Sequence, residues 1–248
     1  MKGELIFGVN PVKESLQGTR GAFNLYVQIS ATDHRVEKII RLAEERGVAV
    51  HRRDKGDLNR MCASSHHQGI ALEVEPFRYT DFDDLLTSIS QSGSNGFLLV
   101  LDAIQDPHNL GALIRSAACA GVDGVIIPKD RACGITAAAE KTSAGAVETV
   151  PVAMVTNVAQ TLETLKKLGF WIYGLDGAAR QSVYGTDFSG NVALVVGGEG
   201  EGIRPLVRKQ CDVVMSIPQY GGVSSLNASV AGGIALFEIA RKVRGVSG

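Results

Sequence analysis

Three stretches of this sequence put polar residues and glycines at the ends of apolar runs, where chemistry is usually done. The first is Leu101-Asp102-Ala103-Ile104-Gln105-Asp106-Pro107-His108-Asn109-Leu110-Gly111-Ala112-Leu113-Ile114-Arg115. It leaves an apolar run, turns at Asp-Pro and enters a helix expected to be capped near Asn109. Leu110, Leu113, Ile114 and Ala117 form the buried stripe, and Arg115 lies off it. Gly111, Ala112, Ala118 and Cys119 flank Arg115 one turn away, so a substrate can approach a guanidinium able to hold a phosphate bidentately. Alone, such an arginine is more often half of a surface ion pair, and His108 reads as a turn residue.

The second stretch, Leu194-Val195-Val196-Gly197-Gly198-Glu199-Gly200-Glu201-Gly202-Ile203-Arg204-Pro205, runs from a buried strand into a glycine turn and a helix near Pro205. Its glycines allow positive φ and close backbone approach, which suits a cofactor cradle. Gly198 and Gly200 supply GxG, but Ile203 stands where a dinucleotide fingerprint needs Gly or Ala. Glu199 and Glu201 would repel a pyrophosphate and suit a cationic sulfonium ligand. A tight turn with solvated acids is the plainer reading.

The third stretch runs from Ile217-Pro218-Gln219-Tyr220 through Ser224-Ser225-Leu226-Asn227-Ala228-Ser229-Val230-Ala231 and opens a terminal helix, Leu226 to about Val243. Ser224 or Ser225 is the expected cap. Ala228, Ala231, Gly232 and Gly233 give the helix a small-residue face suited to a ligand or partner, or simply to close packing.

Behind these stretches stand six near-continuous apolar runs: Phe97–Leu101, Val125–Ile127, Val152–Val155, Trp171–Tyr173, Val192–Val196 and Val213–Ile217. Separated by helical segments, they predict a parallel sheet covered on both faces, whose ligands bind beyond the carboxyl ends of its strands. Upstream, strands at Leu5–Phe7, Phe23–Ile29, Val48–Val50 and Ile70–Val74 alternate with a short helix at Pro11–Leu16 and one from Asp33 to Gly47. Between the two lies a stretch with Asp81-Phe82-Asp83-Asp84, a helix over Phe82–Ile89, and Gln91-Ser92-Gly93-Ser94-Asn95-Gly96. The expected division is 1–76, a linker 77–96, and 97–248.

Net charge is −1, so no global basic field marks the chain as a nucleic-acid binder. Residues 1–80 nevertheless carry 12 Lys and Arg against 10 Asp and Glu, and the remainder 13 against 16. His51, Arg52, Arg53, Lys55, Arg60, His66 and His67 make a basic run that is either a phosphate-binding patch or solvated surface. The four cysteines have no metal-ligand spacing, which predicts no zinc site, no disulfides, and reduced, mostly buried thiols in a cytoplasmic protein. No signal peptide is legible, and Asp102 interrupts the longest apolar candidate for a membrane span.

Taken together, Asn109-x-Gly111-x-x-x-Arg115, Gly197-x-Glu199-Gly200-x-Gly202, Ile217-Pro218 and Ser225-Leu226-Asn227-x-Ser229-Val230-Ala231 resemble the three motifs of the SpoU (TrmH-like) family of RNA ribose methyltransferases, in the SPOUT superfamily. The resemblance covers residues 97–248. Gly8-Val9-Asn10-Pro11-Val12-Lys13-Glu14 and His67-Gln68-Gly69-Ile70-Ala71 look like the RNA-binding domain of bacterial members, best the branch that modifies a guanosine of large-subunit ribosomal RNA. Where relatives have Gly-Ala-Glu this chain has Gly197-Gly198-Glu199, and the second glycine is expected to loosen the turn.

The resemblance implies an α/β protein: a C-terminal parallel-sheet domain with a trefoil knot, preceded by a small α/β RNA-binding domain resembling ribosomal proteins. It implies S-adenosylmethionine as cofactor, held where loops near Asp176-Gly177, Gly197–Gly202 and Ile217–Leu226 meet, with Gly197, Gly198, Ile217 and Leu226 as contacts. Asn109, Arg115, Glu199, Ser225 and Asn227 match the family's functional set, and Arg52, Arg53, Lys55 and Arg60 are the expected RNA contacts. The implied reaction is methylation of a ribose 2′-hydroxyl, foremost of a 23S rRNA guanosine, by a metal-free homodimer joined through its C-terminal domain. A guanidinium stays protonated in proteins, so Arg115 is read as a phosphate clamp rather than a base. A transfer-RNA substrate, a non-catalytic ribosome-associated RNA binder and a nicotinamide-dependent oxidoreductase are the alternatives.

Overall fold

Apolar residues alternate along the first strands, and that alternation builds the smaller of two units in the computed structural model. The structure describes residues 3–18, 20–30, 33–200, 202–222 and 225–244. One unit takes Met1–Arg78 with Ile135–Lys141, the other Tyr79–Gly134 with Thr142–Gly248.

In the first unit the order is β1 (Glu4–Phe7), α1 (Val9–Gln17), β2 (Ala22–Gln28), α2 (His34–Glu45), β3 (Ala49–Arg53), α3 (Lys55–Cys62) and β4 (Ile70–Val74). The strands form a sheet in the order β1-β4-β2-β3, parallel between β2 and β3 and antiparallel elsewhere. Leu25 and Val27 of β2 and Leu72 and Val74 of β4 meet Val12 and Leu16 of α1 and Val36 and Ile39 of α2 in one core. Asp33 caps α2, its carboxylate accepting from the Arg35 N–H at 2.8 Å. Sequence periodicity misses α3 because Leu58 is its one buried residue; Asp54 caps it instead. Residues 135–141, placed by sequence in the C-terminal domain, belong to this unit: Ala137 enters its core and Lys141 Nζ pairs with Glu14 at 3.2 Å.

The second unit carries α4 (Phe82–Gln91), β5 (Phe97–Asp102), α5 (Pro107–Ala120) and β6 (Gly124–Pro128). After α6 (Ala137–Ser143), which begins in the first unit, come β7 (Val152–Val155), α7 (Val158–Lys167), β8 (Phe170–Leu175) and β9 (Gln181–Ser182). The chain ends with β10 (Asn191–Gly197), α8 (Pro205–Arg208), β11 (Val213–Ser216) and α9 (Ala228–Arg244). Among the described residues seven strands pair in parallel, in the order β7-β6-β5-β10-β8-β11-β9. The segment read as a linker is packed: Leu85 and Ile89, one turn apart on α4, join Leu98, Val100 and Val195 in the core. The Ser/Gly/Asn signal therefore marks only the turn into β5.

On the sheet's other side α5 packs along α9. A Cβ on Gly232 would lie 2.3 Å from Leu113 Cδ2, and one on Gly233 3.5 Å from Ser116 Oγ. Gly232 is thus spent on close packing within its own chain, while Ala228 and Ala231 of the same small-residue face line a cavity at the carboxyl edge of the sheet. We expect Gly232→Ala to destabilise the protein by about 1–3 kcal/mol through overpacking. The test is a lowered denaturant midpoint at unchanged slope, and a midpoint equal to wild type would contradict this packing.

Among the described residues no helix is long and apolar enough to cross a membrane. The thiols are less buried than expected: Cys119 is exposed on α5, and Cys62, Cys133 and Cys211 are half-buried. Burial, helped by neighbouring carboxylates, pushes Cys133 up to about 11 and Cys211 to about 12, which keeps both thiols protonated.

Candidate active site

Strand register decides which loops meet. Gly197 at the end of β10 pairs with Asp102 at the end of β5, Val196 pairs with Leu175 of β8, and Leu175 pairs with Met215 of β11. The loops after β5, β8, β10 and β11 therefore leave the same carboxyl edge side by side, where ligands bind on open parallel sheets. A cavity of about 540 Å³ opens there. Asp176 and Gly177, the turn Gly197–Gly200, Ile217, and the stretch Ser225–Ala228 line it, so Gly197, Gly198, Ile217 and Leu226 all face one space.

Three polar side chains tie these loops together. Asn109 Nδ2 donates to Glu199 Oε1 at 2.6 Å, and Asn227 Nδ2 donates to the same oxygen at 2.8 Å. Asn227 Nδ2 also reaches Asn109 Oδ1 at 3.0 Å. Asn227 at the same time caps α9, its Oδ1 accepting from the backbone N–H of Ser229 at 2.9 Å and of Val230 at 3.2 Å. This corrects the expected serine cap: the amide of Asn227 accepts at the helix start through Oδ1 and donates into the site through Nδ2, two separate atoms where a serine has a single oxygen. Ser225 lines the cavity, while Ser224 and Glu201 lie outside the described residues. On α5 the cap is Asp106, accepting from the His108 N–H at 2.9 Å, which frees Asn109 for the network.

The glycine turn is held, not loosened. The Gly198 N–H donates to the Asp102 carbonyl at 2.9 Å, and a Cβ on Gly198 would lie 2.4 Å from the Ala103 carbonyl oxygen. Gly202, at φ 66°, closes the turn by donating to the Gly198 carbonyl at 3.0 Å. Sequence reasoning missed the fastening behind it. Asp102 is fully buried, its carboxylate accepts from the Arg204 N–H at 2.8 Å and Nε at 2.7 Å, and the Arg204 Nη2 completes the ion pair at 2.5 Å. The available signal was an acid at the end of an otherwise apolar strand. Burying such a charge is costly unless it is paired and hydrogen-bonded.

Arg115 stands apart. It is exposed, six residues beyond Asn109 on α5, and lines neither this cavity nor its neighbour. Six residues rotate a helix by about 600°, so the two side chains leave different faces. Within one chain the fold gathers Asn109, Glu199, Ser225 and Asn227, and leaves Arg115 outside.

In the first unit Arg52, Lys55 and Arg60 are exposed, Arg60 pairing with Asp57 one turn away. Arg53 lies over the Tyr26 ring, 5.7 Å from its centroid, and His51 stacks on the same ring at 5.5 Å. Tyr26 was missed, although it alternates with Leu25 and Val27 and so must leave the opposite face of β2. His67 drops out of the basic run. It is buried, its Nδ1 accepts from the Gly69 N–H at 2.9 Å, and its Nε2 faces Asn59 Oδ1 at 3.0 Å. Burial, aided by Lys55, lowers its pKa, and the ring stays neutral.

Residues 96–237 match the model of the SpoU rRNA Methylase family, and residues 5–80 match the RNA 2′-O ribose methyltransferase substrate binding model. The chain is 43% identical over 242 residues to the 23S rRNA (guanosine-2′-O-)-methyltransferase RlmB of Xylella fastidiosa, covering 97% of both. It is equally identical to an uncharacterized tRNA/rRNA methyltransferase of Mycolicibacterium vanbaalenii, covering 97% of this chain and 77% of that one. In fold it is similar to the SpoU methyltransferase AviRb from Streptomyces viridochromogenes in complex with AdoMet, at TM-score 0.63 and 22% identity, covering 98% of this chain and 91% of that one.

Proposed function

We propose that this chain, which belongs to the SpoU rRNA Methylase family, methylates the ribose 2′-hydroxyl of a guanosine in 23S ribosomal RNA with S-adenosylmethionine as donor. The observation that carries this is the Asn109–Glu199–Asn227 network at the meeting of the loops that wall the larger cavity.

That cavity fits the cofactor by size and chemistry. Its roughly 540 Å³ lies in the usual range for small-molecule sites. Ile217 and Leu226 supply apolar wall for a purine ring, glycine backbone supplies hydrogen-bonding groups, and Glu199 supplies negative charge toward a cation, while the Asp176 carboxylate is paired with Arg208. S-adenosylmethionine, when bound, provides a methyl group on a cationic sulfur open to displacement by an oxygen. The protein's part is to place that oxygen and ease its proton away, so positioning carries much of the rate. Glu199 is held through Oε1 by two amides, which leaves Oε2 to accept from the ribose hydroxyl. Arg115 clamps a neighbouring phosphate and stabilises developing negative charge.

Further readings rest on this one. The first unit, residues 1–78 with 135–141, serves as the RNA substrate-binding domain, and the second, 79–134 with 142–248, as the methyltransferase domain. Exposed Arg52, Lys55 and Arg60, with Arg53 on Tyr26, support phosphate and base contacts there. Family membership supports reading a trefoil knot in the second domain and a likeness to ribosomal proteins in the first. Val230 and Phe237, seven residues apart on α9 and about half exposed, support a homodimer through this helix. Such a dimer gives Arg115 a route to a cavity that its own subunit's Arg115 does not line. A cytoplasmic location accords with a ribosomal substrate.

The test is a map of ribose methylation in total RNA from cells with and without the protein. One large-subunit guanosine should lose its 2′-O-methyl group. Loss confined to transfer RNA would move the substrate, and no change at any site would refute the activity.

A further inference from the structure

A second cavity, of about 370 Å³, lies against the first and shares Gly198, Glu199 and Gly202 with it. Ala103, Ile104, Gln105, Asp106, Asn109 and Arg204 complete its lining. We propose that this cavity seats the acceptor nucleoside and that Asp106 reads a guanine in it; the proposal rests on the methyltransferase reading above.

The placement follows from the reaction. An oxygen attacking a methyl group held in the larger cavity must come from a space that opens on the same wall, and Glu199 stands in that wall. The shape follows from the chain. Ala103 turns left-handed at φ 62°, a conformation a non-glycine residue holds only when its surroundings enforce it. That turn buries Ile104 and leaves Gln105 and Asp106 exposed beside it. The volume suits one nucleoside, not a stretch of strand.

The occupant's identity follows from hydrogen-bond chemistry. Asp106 Oδ1 is held by the His108 N–H at 2.9 Å, and Oδ2 makes no hydrogen bond among the described residues. An ionised carboxylate only accepts. Among the bases, guanine alone presents two adjacent donors on one edge, N1–H and the N2 amino group. Adenine, cytosine and uracil each set a donor beside an acceptor there. Asp106 and Glu199 also disfavour a phosphate in this cavity, whose one cation among the described residues, Arg204, is already paired with Asp102.

The test uses the full-length protein saturated with S-adenosylhomocysteine. Guanosine, inosine and adenosine 5′-monophosphates are titrated to millimolar concentration while backbone amide resonances are followed. The guanosine nucleotide should move Gln105, Asn109 and Gly198, and bind about tenfold tighter than the inosine nucleotide, which lacks the N2 amino group. Asp106→Asn, which still caps α5, should erase that preference, raise KM for ribosomal RNA about tenfold and leave S-adenosylhomocysteine affinity unchanged. Gln105→Ala, which touches no cap, should weaken all three nucleotides together. Guanosine nucleotide shifts elsewhere than this cavity, or a preference that survives in Asp106→Asn, would overturn the assignment. If wild type methylates ribosomal RNA and Asp106→Asn matches it in KM, this assignment alone fails; if wild type transfers no methyl group, the underlying function fails.

Discussion

Arg115→Ala should abolish methyl transfer, lowering turnover by roughly 10²–10³-fold or more, while S-adenosylmethionine affinity stays within a few-fold. Arg115 lines neither cavity, so its removal leaves the cofactor's surroundings intact. What it removes is a donor aimed at RNA. Lysine should rescue poorly because its ammonium is a point charge without the planar fork that grips two phosphate oxygens. Single-turnover methylation of ribosomal RNA, beside calorimetric titration of the cofactor, separates the two effects. An Arg115→Lys protein that keeps most of the rate would leave simple charge as the explanation, and a collapse of cofactor affinity in Arg115→Ala would place the arginine in the wrong site.

Asp102→Asn should act on the opposite half of the reaction. The buried carboxylate holds Arg204 by backbone and side chain, and Arg204 ends the turn whose other arm, Gly197–Gly200, walls the larger cavity. Asparagine keeps the volume but removes the charge, leaving a guanidinium without its counter-ion. Breaking one side of a buried pair typically costs about 3–5 kcal/mol, which the half-exposed Arg204 reduces. We expect cofactor affinity to fall at least about tenfold, equivalent to about 1.4 kcal/mol, with RNA affinity little changed. Adding Arg204→Gln to Asp102→Asn restores a neutral hydrogen-bonded pair and should recover part of the loss. Equal cofactor binding by wild type and Asp102→Asn would show that the turn holds its shape without the clamp.

Much of this was legible before any coordinates. Apolar runs gave six strands of the second unit to within two residues but not the two-residue polar β9, and β-period alternation with Asp33 as cap gave most of the first. The family was legible too, since Asn109, Glu199 and Asn227 sit in motifs whose order and spacing few other proteins share. What failed were choices between neighbours that local pattern treats alike. Asp106 rather than Asn109 caps α5, and Asn227 rather than a serine caps α9, because the fold needs both asparagine amides for Glu199. Gly198 reads as slack in the sequence and is a close contact in the fold, since only register puts the Ala103 carbonyl against it. His67 reads as basic and is neutral, because burial and the Gly69 N–H are set by the packing of a loop. Residue type and spacing determined which chemistry this chain carries. Which side chains share a site was decided by strand register, which sets the ends of β5 and β10 side by side so that Asn109 meets Glu199 across 90 residues and Asn227 across 118, distances over which sequence periodicity holds no information.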